Sequence, residues 1–506
     1  MIIFFIVFSL LLDSSQSFSS FFNKFINSEP KQFYAENRFK PVNEENTYTV
    51  YHNNSLFSKL ENQCFAQIGS NPKYLTNTSY SWFDGDGMIH GVLFEKNKIT
   101  YQNKWIQTKR LKVEDKIGKK VYLYLAEFID KNGLIKYIAY SLKRYFNLIP
   151  GVKGTANTAL FESNNRIFAL HEGDLPYELS ISTNPFNIST KGIVDIPNMF
   201  STTAHPIKDK RRDQLYMCSY NNYNFMDGKF IFNAFNKDLE LIQNKNISLI
   251  NNGIIHSTSF TGNKIIVPDM PMKFNPFRIL KKKLPLYFDK FNGVTRFGII
   301  NVDNPENTDW YYFHENFYVF HFSDSYETED EYIIYACIIK DIKIESFIIF
   351  EKHDPTNKGN GLIKEIRLNK KTKRGTVIKN KYIEDMDIDF IYNIDFPSTS
   401  IINKKNLYCC IFDSNIASMT GFIKVNTNNF KVASPDVFLL ENNTYGTAEP
   451  QPVVIEDKEY LLGYTEKNDK FFISLIDILN KSMESIEIPS RIPPGFHSIL
   501  FTPLEN

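Results

Sequence analysis

What this 506-residue chain lacks narrows it first. Its five cysteines, Cys64, Cys218, Cys337, Cys409 and Cys410, form no C-x-x-C pair. Neither a disulfide framework nor a thiolate zinc site is written here, and they read as mostly free thiols. Adjacent Cys409 and Cys410 would point to opposite faces of a strand. There is no excess of charge of either sign, the formal net charge being +1, so nothing in the global balance calls for nucleic acid as a partner. No alternation of strand and helix runs through the chain, which argues against a doubly wound parallel sheet. No apolar run is long enough for a confident membrane span, and no serine–histidine–acid pattern marks a hydrolytic triad.

What is present is aromatic and strand-like. There are 45 Phe and 28 Tyr, and apolar residues make up 42% of the chain. From Thr47 onward, short apolar-aromatic runs alternate with Asn, Asp, Gly, Lys and Pro. Arg166-Ile167-Phe168-Ala169-Leu170, Tyr332-Ile333-Ile334-Tyr335-Ala336 and Phe471-Phe472-Ile473-Ser474-Leu475-Ile476 are examples. Such runs read as strands joined by turns. A few candidate helices are expected, among them Leu134 to Tyr145. So many antiparallel strands would not hold together as one open twisted sheet, whereas a propeller or several barrels would close the edges. With no long flexible linker dividing the chain, the expectation is an all-β fold, a single large propeller.

The N-terminus has its own composition. Met1 to Leu12 is a short apolar run, followed by the polar Asp13-Ser14-Ser15-Gln16-Ser17. It resembles a signal h-region without a basic flank. Residues 1–17 are therefore read as a leader to the secretory route or to a plastid of secondary origin, the alternative being a cytoplasmic, membrane-associated protein. Residues 18–36 read as irregular, and 37–506 as one domain. Asn53, Asn77, Asn187, Asn246, Asn442 and Asn480 stand in N-x-S/T sequons, which so Asn-rich a chain also makes by chance.

The other end is written like a buried corner. Pro489-Ser490-Arg491-Ile492-Pro493-Pro494-Gly495-Phe496-His497 places prolines and a glycine before an aromatic, a histidine and the apolar Ile499-Leu500-Phe501. A tail of this kind is pinned, and it delivers His497 to the interior. Three other histidines of the nine share a β-type setting: His205 before Pro206, His256 after Gly253-Ile254-Ile255, and His321 within Phe317-Tyr318-Val319-Phe320-His321-Phe322. In a propeller, strands from different blades converge on the axis, so four imidazoles would meet there. Four neutral imidazoles suit Fe, Zn, Cu or Ni. They would close a tetrahedral zinc site but leave two positions on octahedral Fe(II). Glu172, Asp395 and Glu449, in apolar strand-like settings, are the candidate acceptors for the second ring nitrogens.

Several segments together carry a resemblance. They are Phe83-Asp84-Gly85-Asp86-Gly87-Met88, Asn157-Thr158-Ala159, Ala169-Leu170-His171-Glu172-Gly173-Asp174-Leu175-Pro176-Tyr177, Thr203-Ala204-His205-Pro206, Ile266-Val267-Pro268-Asp269, Arg296-Phe297-Gly298 and the C-terminal corner. In this order the set resembles the carotenoid cleavage oxygenase family, from about Asn37 to the C-terminus. That family includes apocarotenoid and stilbene dioxygenases and the retinoid isomerohydrolase.

The resemblance implies a seven-bladed β-propeller with a helical cap over the metal-containing axis. It also implies one Fe(II) on His205, His256, His321 and His497, with Glu172 on His256, Asp395 on His321 and Glu449 on His497. His205 is left without a carboxylate, and His90 and His171 fall on positions that are not ligands. Asp395 departs from the family's glutamate. One methylene shorter, it is expected to need a backbone shift or a water to reach His321. His256-Ser257 departs from the usual His-Asp pair.

The implied activity is cleavage of a C=C bond of a carotenoid, apocarotenoid or stilbene-like substrate with O2, giving two carbonyl products. No protein acid or base is required. A retinoid-type isomerase or isomerohydrolase, or a non-catalytic lipid-binding propeller, are the alternatives. One further stretch mixes apolar residues and cations, and reads as a peripheral membrane contact through Phe277, Ile279, Leu280, Lys281, Lys282, Lys283 and Leu284.

Overall fold

Runs that are apolar on both faces need cover on both faces, and the architecture supplies it. The computed structural model describes residues 38–504 apart from 75–79, 131, 147, 150–153, 197–198, 221–228, 252, 343, 345–347, 350–360, 390–391 and 414–417. The expected leader and the segment 18–36 lie outside the described residues. In strand Asn406–Asp413, Cys409 packs into one apolar cluster with Ile411 and Ile423, while Cys410 packs into another with Phe396 and Phe422. The sheet is sandwiched between neighbours. That is why its strands read as continuous apolar runs and not as strict alternation.

Among the described residues the strand pairings, antiparallel except at Tyr312↔Arg374, form one sheet of four, two of five, one of eight and one of nine strands, with two short two-stranded pairs. The eight-stranded sheet is joined across its middle only by Tyr312↔Arg374, and the nine-stranded one only by Met419↔Gly446. Divided at those two bridges, the main sheets among the described residues resolve into seven antiparallel units, in keeping with a β-propeller. One edge strand of each unit belongs to an inner set. From Ser259–Thr261 through Tyr318–Glu327, Tyr392–Thr399, Gln451–Ile455 and Ser498–Phe501 to Ala159–Ser163, successive members of that set touch.

The ring closes by joining the two ends of the chain. Strand Cys64–Ser70 pairs with Gly87–Glu95 on one side and with the last strand, Ser498–Phe501, on the other. The C-terminal corner is pinned as its composition implied. Gly495 N–H donates to Thr447 O (2.8 Å), Phe496 N–H to Ile68 O (2.9 Å) and Ile68 N–H to His497 O (3.0 Å). Closure of this kind leaves no sheet edge open at the junction.

A helical insertion follows strand Lys98–Trp105. It contains helix Lys109–Ile117, the 3₁₀ turn Ala126–Ile129 and helix Gly133–Tyr145, the last one residue longer than expected. Thr108 caps the first helix by accepting from Leu111 N–H (3.0 Å), and Gly118 ends it in the left-handed region (φ 73°). Asp84 accepts the N–H groups of Leu125 (2.6 Å) and Ala126 (3.0 Å) and so holds the insertion down. Burial nevertheless raises its carboxyl to about 6. Ala126, Leu125 and Phe128 join the cluster containing Tyr318, Ile254 and Phe320. The insertion therefore covers the residues flanking His256 and His321.

Candidate metal centre

Each of the four histidines sits on, or just before, a strand of the inner set. His205 precedes Ile207–Asp209, His256 lies three residues before Ser259–Thr261, His321 is within Tyr318–Glu327, and His497 precedes Ser498–Phe501. They come from four different units and their ligand nitrogens gather within 4.8 Å of one another. Nε2 of His256 lies 2.9 Å from Nε2 of His205 and 3.2 Å from Nε2 of His321. Ring centroids of five of the six pairs are 4.5–5.2 Å apart.

Three of the rings have their other nitrogen on a carboxylate. His256 Nδ1 meets Glu172 Oε1 at 2.5 Å, His321 Nδ1 meets Asp395 Oδ1 at 2.9 Å, and His497 Nδ1 meets Glu449 Oε2 at 2.7 Å. An ionised carboxylate only accepts, so each of these Nδ1 atoms carries a proton and each neutral ring presents a bare Nε2 lone pair. Two bare lone pairs 3.2 Å apart, His256 and His321, repel. A cation between them turns the repulsion into coordination. The donor set therefore fits a metal ion, and the carboxylates set which nitrogen each ring offers.

Burial keeps His205 and His321 neutral. Burial, reinforced by the neighbouring imidazoles, holds His205 well below the usual imidazole range. Burial also lowers His321, against the pull of Asp395. Burial works to raise Glu172, but the imidazoles beside it, chiefly His256, outweigh burial and the carboxyl lies at about 2.

Asp395 reaches His321 directly, with no water between. The backbone beside it is irregular. The ladder slips between Asp395 and Ser398, and Phe396 takes a left-handed conformation with φ 52°. For a bulky residue that conformation costs about 1–2 kcal/mol. It sets the Phe396 ring over His321 (centroids 4.9 Å, 27° between planes) and lets Asp395 Oδ1 also accept Phe396 N–H (2.9 Å). Asp395→Ala is expected to lower metal affinity by about tenfold or more, read as metal retained per chain after dialysis against a weak chelator.

Sequence reasoning did not find the wall around the centre. Phe396 also contacts His497 (5.0 Å) and Phe412 (5.7 Å), and Phe320 contacts His256 (5.5 Å). Trp82 adds contacts to Phe412 (6.3 Å) and Phe496 (5.3 Å). Their one signal in the sequence is adjacency, since Phe320, Phe396 and Phe496 each neighbour a site residue.

His90 and His171 are elsewhere engaged. His90 is buried against the Tyr101 hydroxyl (2.8 Å), and His171 Nδ1 accepts Gly173 N–H (2.8 Å).

The Phe277–Leu284 stretch divides in two. Phe277 is 69% exposed and Leu280 61%, with Lys281, Lys282 and Lys283 also exposed. Ile279 and Leu284 are buried, Leu284 within the largest apolar cluster. These two are corrected as lipid-contacting residues: the 3₁₀ turn Pro276–Lys281 directs Ile279 into the core, and Leu284, just after the turn, packs there too. Helix Gly133–Tyr145 runs beside this turn and leads to exposed Tyr145, Phe146 and Leu148. Among the described residues no helix is long and apolar enough to cross a membrane.

Comparison with known proteins agrees with this geometry. The family described as retinal pigment epithelial membrane protein matches residues 39–502. The carotenoid 9,10(9',10')-cleavage dioxygenase 1 of Arabidopsis thaliana is 28% identical over 469 residues, covering 87% of this chain and 84% of that protein. The 9-cis-epoxycarotenoid dioxygenase NCED6 of the same plant, named chloroplastic, is 26% identical over 86% of this chain and 75% of its own length. Among solved structures, the lignostilbene dioxygenase of Pseudomonas brassicacearum superposes with a TM-score of 0.74 at 14% identity, over 94% of this chain and 99% of that one. A Glu150Gln variant of the Synechocystis apocarotenoid oxygenase also gives 0.74, at 17% identity and the same coverage.

Proposed function

This chain belongs to the family of retinal pigment epithelial membrane protein and the carotenoid cleavage oxygenases, and from that premise we propose that it is an Fe(II) dioxygenase. It cleaves a C=C bond of a carotenoid, apocarotenoid or stilbene-like substrate with O2, giving two carbonyl products. The observation that carries the proposal is the convergence of four imidazoles, three of them oriented by carboxylates, inside an aromatic wall.

His205, His256, His321 and His497 would hold the ion. Two ligands about 2.1 Å from a shared ion lie roughly 3.0 Å apart at a right angle and roughly 3.4 Å apart at the tetrahedral angle. Spacings of 2.9 and 3.2 Å are close enough for these nitrogens to share one ion. Iron bound there would supply the activation of O2. The chain's own part is to hold the rings neutral and aimed, exclude water and seat an apolar substrate. Phe320, Phe396, Phe412, Phe496 and Trp82 offer flat apolar surface on which a conjugated chain or a stilbene ring would stack. No side chain is needed to give or take a proton, because breaking the double bond with both oxygen atoms of O2 leaves no proton to move.

Anaerobic loading with Fe(II), followed by exposure to O2 with panels of apocarotenoids and hydroxystilbenes, is expected to give paired carbonyl products. Stoichiometric iron with no carbonyl product from any of them would count against the assignment, and alcohol products would point instead to isomerohydrolysis.

The same proposal places Phe277, Leu280 and Lys281–Lys283 at a membrane surface, from which an apolar substrate would enter. Phe277→Asp combined with Leu280→Asp is expected to reduce liposome flotation at least tenfold, each buried apolar side chain being worth about 1.5–3 kcal/mol. Equal flotation of variant and parent rejects the membrane contact. Delivery by residues 1–17 to the secretory route or a plastid is part of the proposal, supported by the relative named chloroplastic, and residues 37–506 act as one domain.

A further inference from the structure

His256, like His205 and His497, lies on a segment outside the strands. Residues Ile254–Thr258 lie outside any strand, between the bridge at Gly253 and the strand Ser259–Thr261. Ile254 N–H donates to Met272 O (3.1 Å). Beyond that point, side-chain hydroxyls take over. The Tyr318 hydroxyl donates to Ile254 O (3.1 Å). The Tyr220 hydroxyl donates to Ile255 O (3.0 Å) and accepts Ile255 N–H. Ser257 Oγ–H donates to Phe320 O (2.5 Å). All three hydroxyl residues are buried.

The placement of these bonds gives them a meaning beyond local packing. Ser257 is the residue after His256, and Phe320 is the residue before His321. Tyr318 stands three residues before His321 on the same strand. Two of the three hydroxyls therefore tie the His256 segment to the strand that carries a second ligand, across the boundary between two units. Ser257 is also the residue where the family pattern has an acid. A charged carboxylate cannot donate to Phe320 O, whereas the serine hydroxyl can.

We propose that Ser257 and Tyr318, with Tyr220 behind them, are positioning residues that set the separation of His256 from His321 and thereby the affinity and geometry of the bound ion. The inference rests on the metal-centre reading and adds to it the device that fixes one edge of the ligand set. Loss of a supporting hydrogen bond of this kind lowers metal affinity by about 10- to 100-fold.

The test uses the full chain, stripped of metal and titrated anaerobically with Co(II) alone. Affinity and the visible ligand-field spectrum are the readouts. Ser257→Ala and Tyr318→Phe are each expected to lose about tenfold in Co(II) affinity and to shift the ligand-field bands, while Ser257→Thr retains both parental values. Ser474→Ala, which removes a buried hydroxyl bonded to Thr465 and Ser485 in another unit, is expected to leave the spectrum unchanged. If Ser257→Ala fails to fold, Tyr318→Phe and Tyr220→Phe decide. Parental affinity and spectrum in the variants, with the parent binding Co(II), overturn the clamp and leave the metal reading standing. A parent that takes up no Co(II) overturns the metal reading, and the clamp with it.

Discussion

A chain carrying alanine at His497 is expected to fold and to retain no ion, losing more than the roughly 100-fold in affinity that follows loss of an outer hydrogen-bonded partner. The ring is the meeting point of several restraints. Its Nδ1 is fixed by Glu449 (2.7 Å), and its faces are bounded by His205, His321 and Phe396 at 4.5, 4.8 and 5.0 Å. Truncation removes one of four ligands and leaves the Glu449 carboxylate without its partner, a further cost of about 1–3 kcal/mol. The backbone bonds around residue 497 remain, because Ile68 N–H donates to its carbonyl and not to its ring. Metal per chain by elemental analysis, beside the thermal midpoint, checks this. Full metal content in a folded His497→Ala variant would remove His497 from the ligand set. His497→Gln, which keeps a polar group in the space, is the control for collapse of the cavity.

The second large effect concerns a glycine two residues earlier. Gly495→Ala is expected to lose stability and metal together. A Cβ built on Gly495 would stand 2.7 Å from Ile68 O and 2.6 Å from Gln67 Nε2. The glutamine is buried and yields only by giving up its bonds to Pro493 O and the Thr447 hydroxyl. The Ile68 carbonyl cannot move aside, because it accepts Phe496 N–H at the joint between strands Cys64–Ser70 and Ser498–Phe501. Relief of the clash therefore opens the closure of the ring and moves Phe496 and His497 with it. Overpacking of this kind costs about 1–3 kcal/mol. Gly69, whose own Cβ would lie 2.5 Å from Gly495 Cα, faces the same constraint from the other side. The thermal midpoint and the metal content of Gly495→Ala are the measurements. Loss of stability with full metal retention would show that the corner closes the ring without positioning the ligand.

Much of this was legible in the sequence, for reasons that can be named. His321 is a polar ring among four aromatics, His205 stands before Pro206 in a bend that leads into a strand, and His497 follows a turn of prolines and glycine that only a pinned tail requires. Each is a local anomaly, and local anomalies survive in a linear text. The pairing of Glu172, Asp395 and Glu449 with their histidines followed from the family pattern and is met at 2.5, 2.9 and 2.7 Å.

What composition could not carry was backbone geometry. The sequence shows that Asp395 is short. It does not show that the carboxylate still meets His321 at 2.9 Å, beside a slip in the ladder and a left-handed Phe396. Nor does it show that Ile279 and Leu284 turn inward while Phe277 and Leu280 turn out. In a 3₁₀ turn, facing depends on a three-residue repeat too short to read as a period. The Ser257 bond to Phe320 was invisible for a third reason: it joins residues 63 apart that meet only when two units pack.

The most direct test of the account is the X-ray absorption spectrum at the iron edge of protein loaded anaerobically with one equivalent of Fe(II). The account predicts the multiple-scattering pattern of several imidazoles on one six-coordinate ion, diminished in His497→Ala. A spectrum with oxygen neighbours alone, unchanged by that substitution, would contradict it.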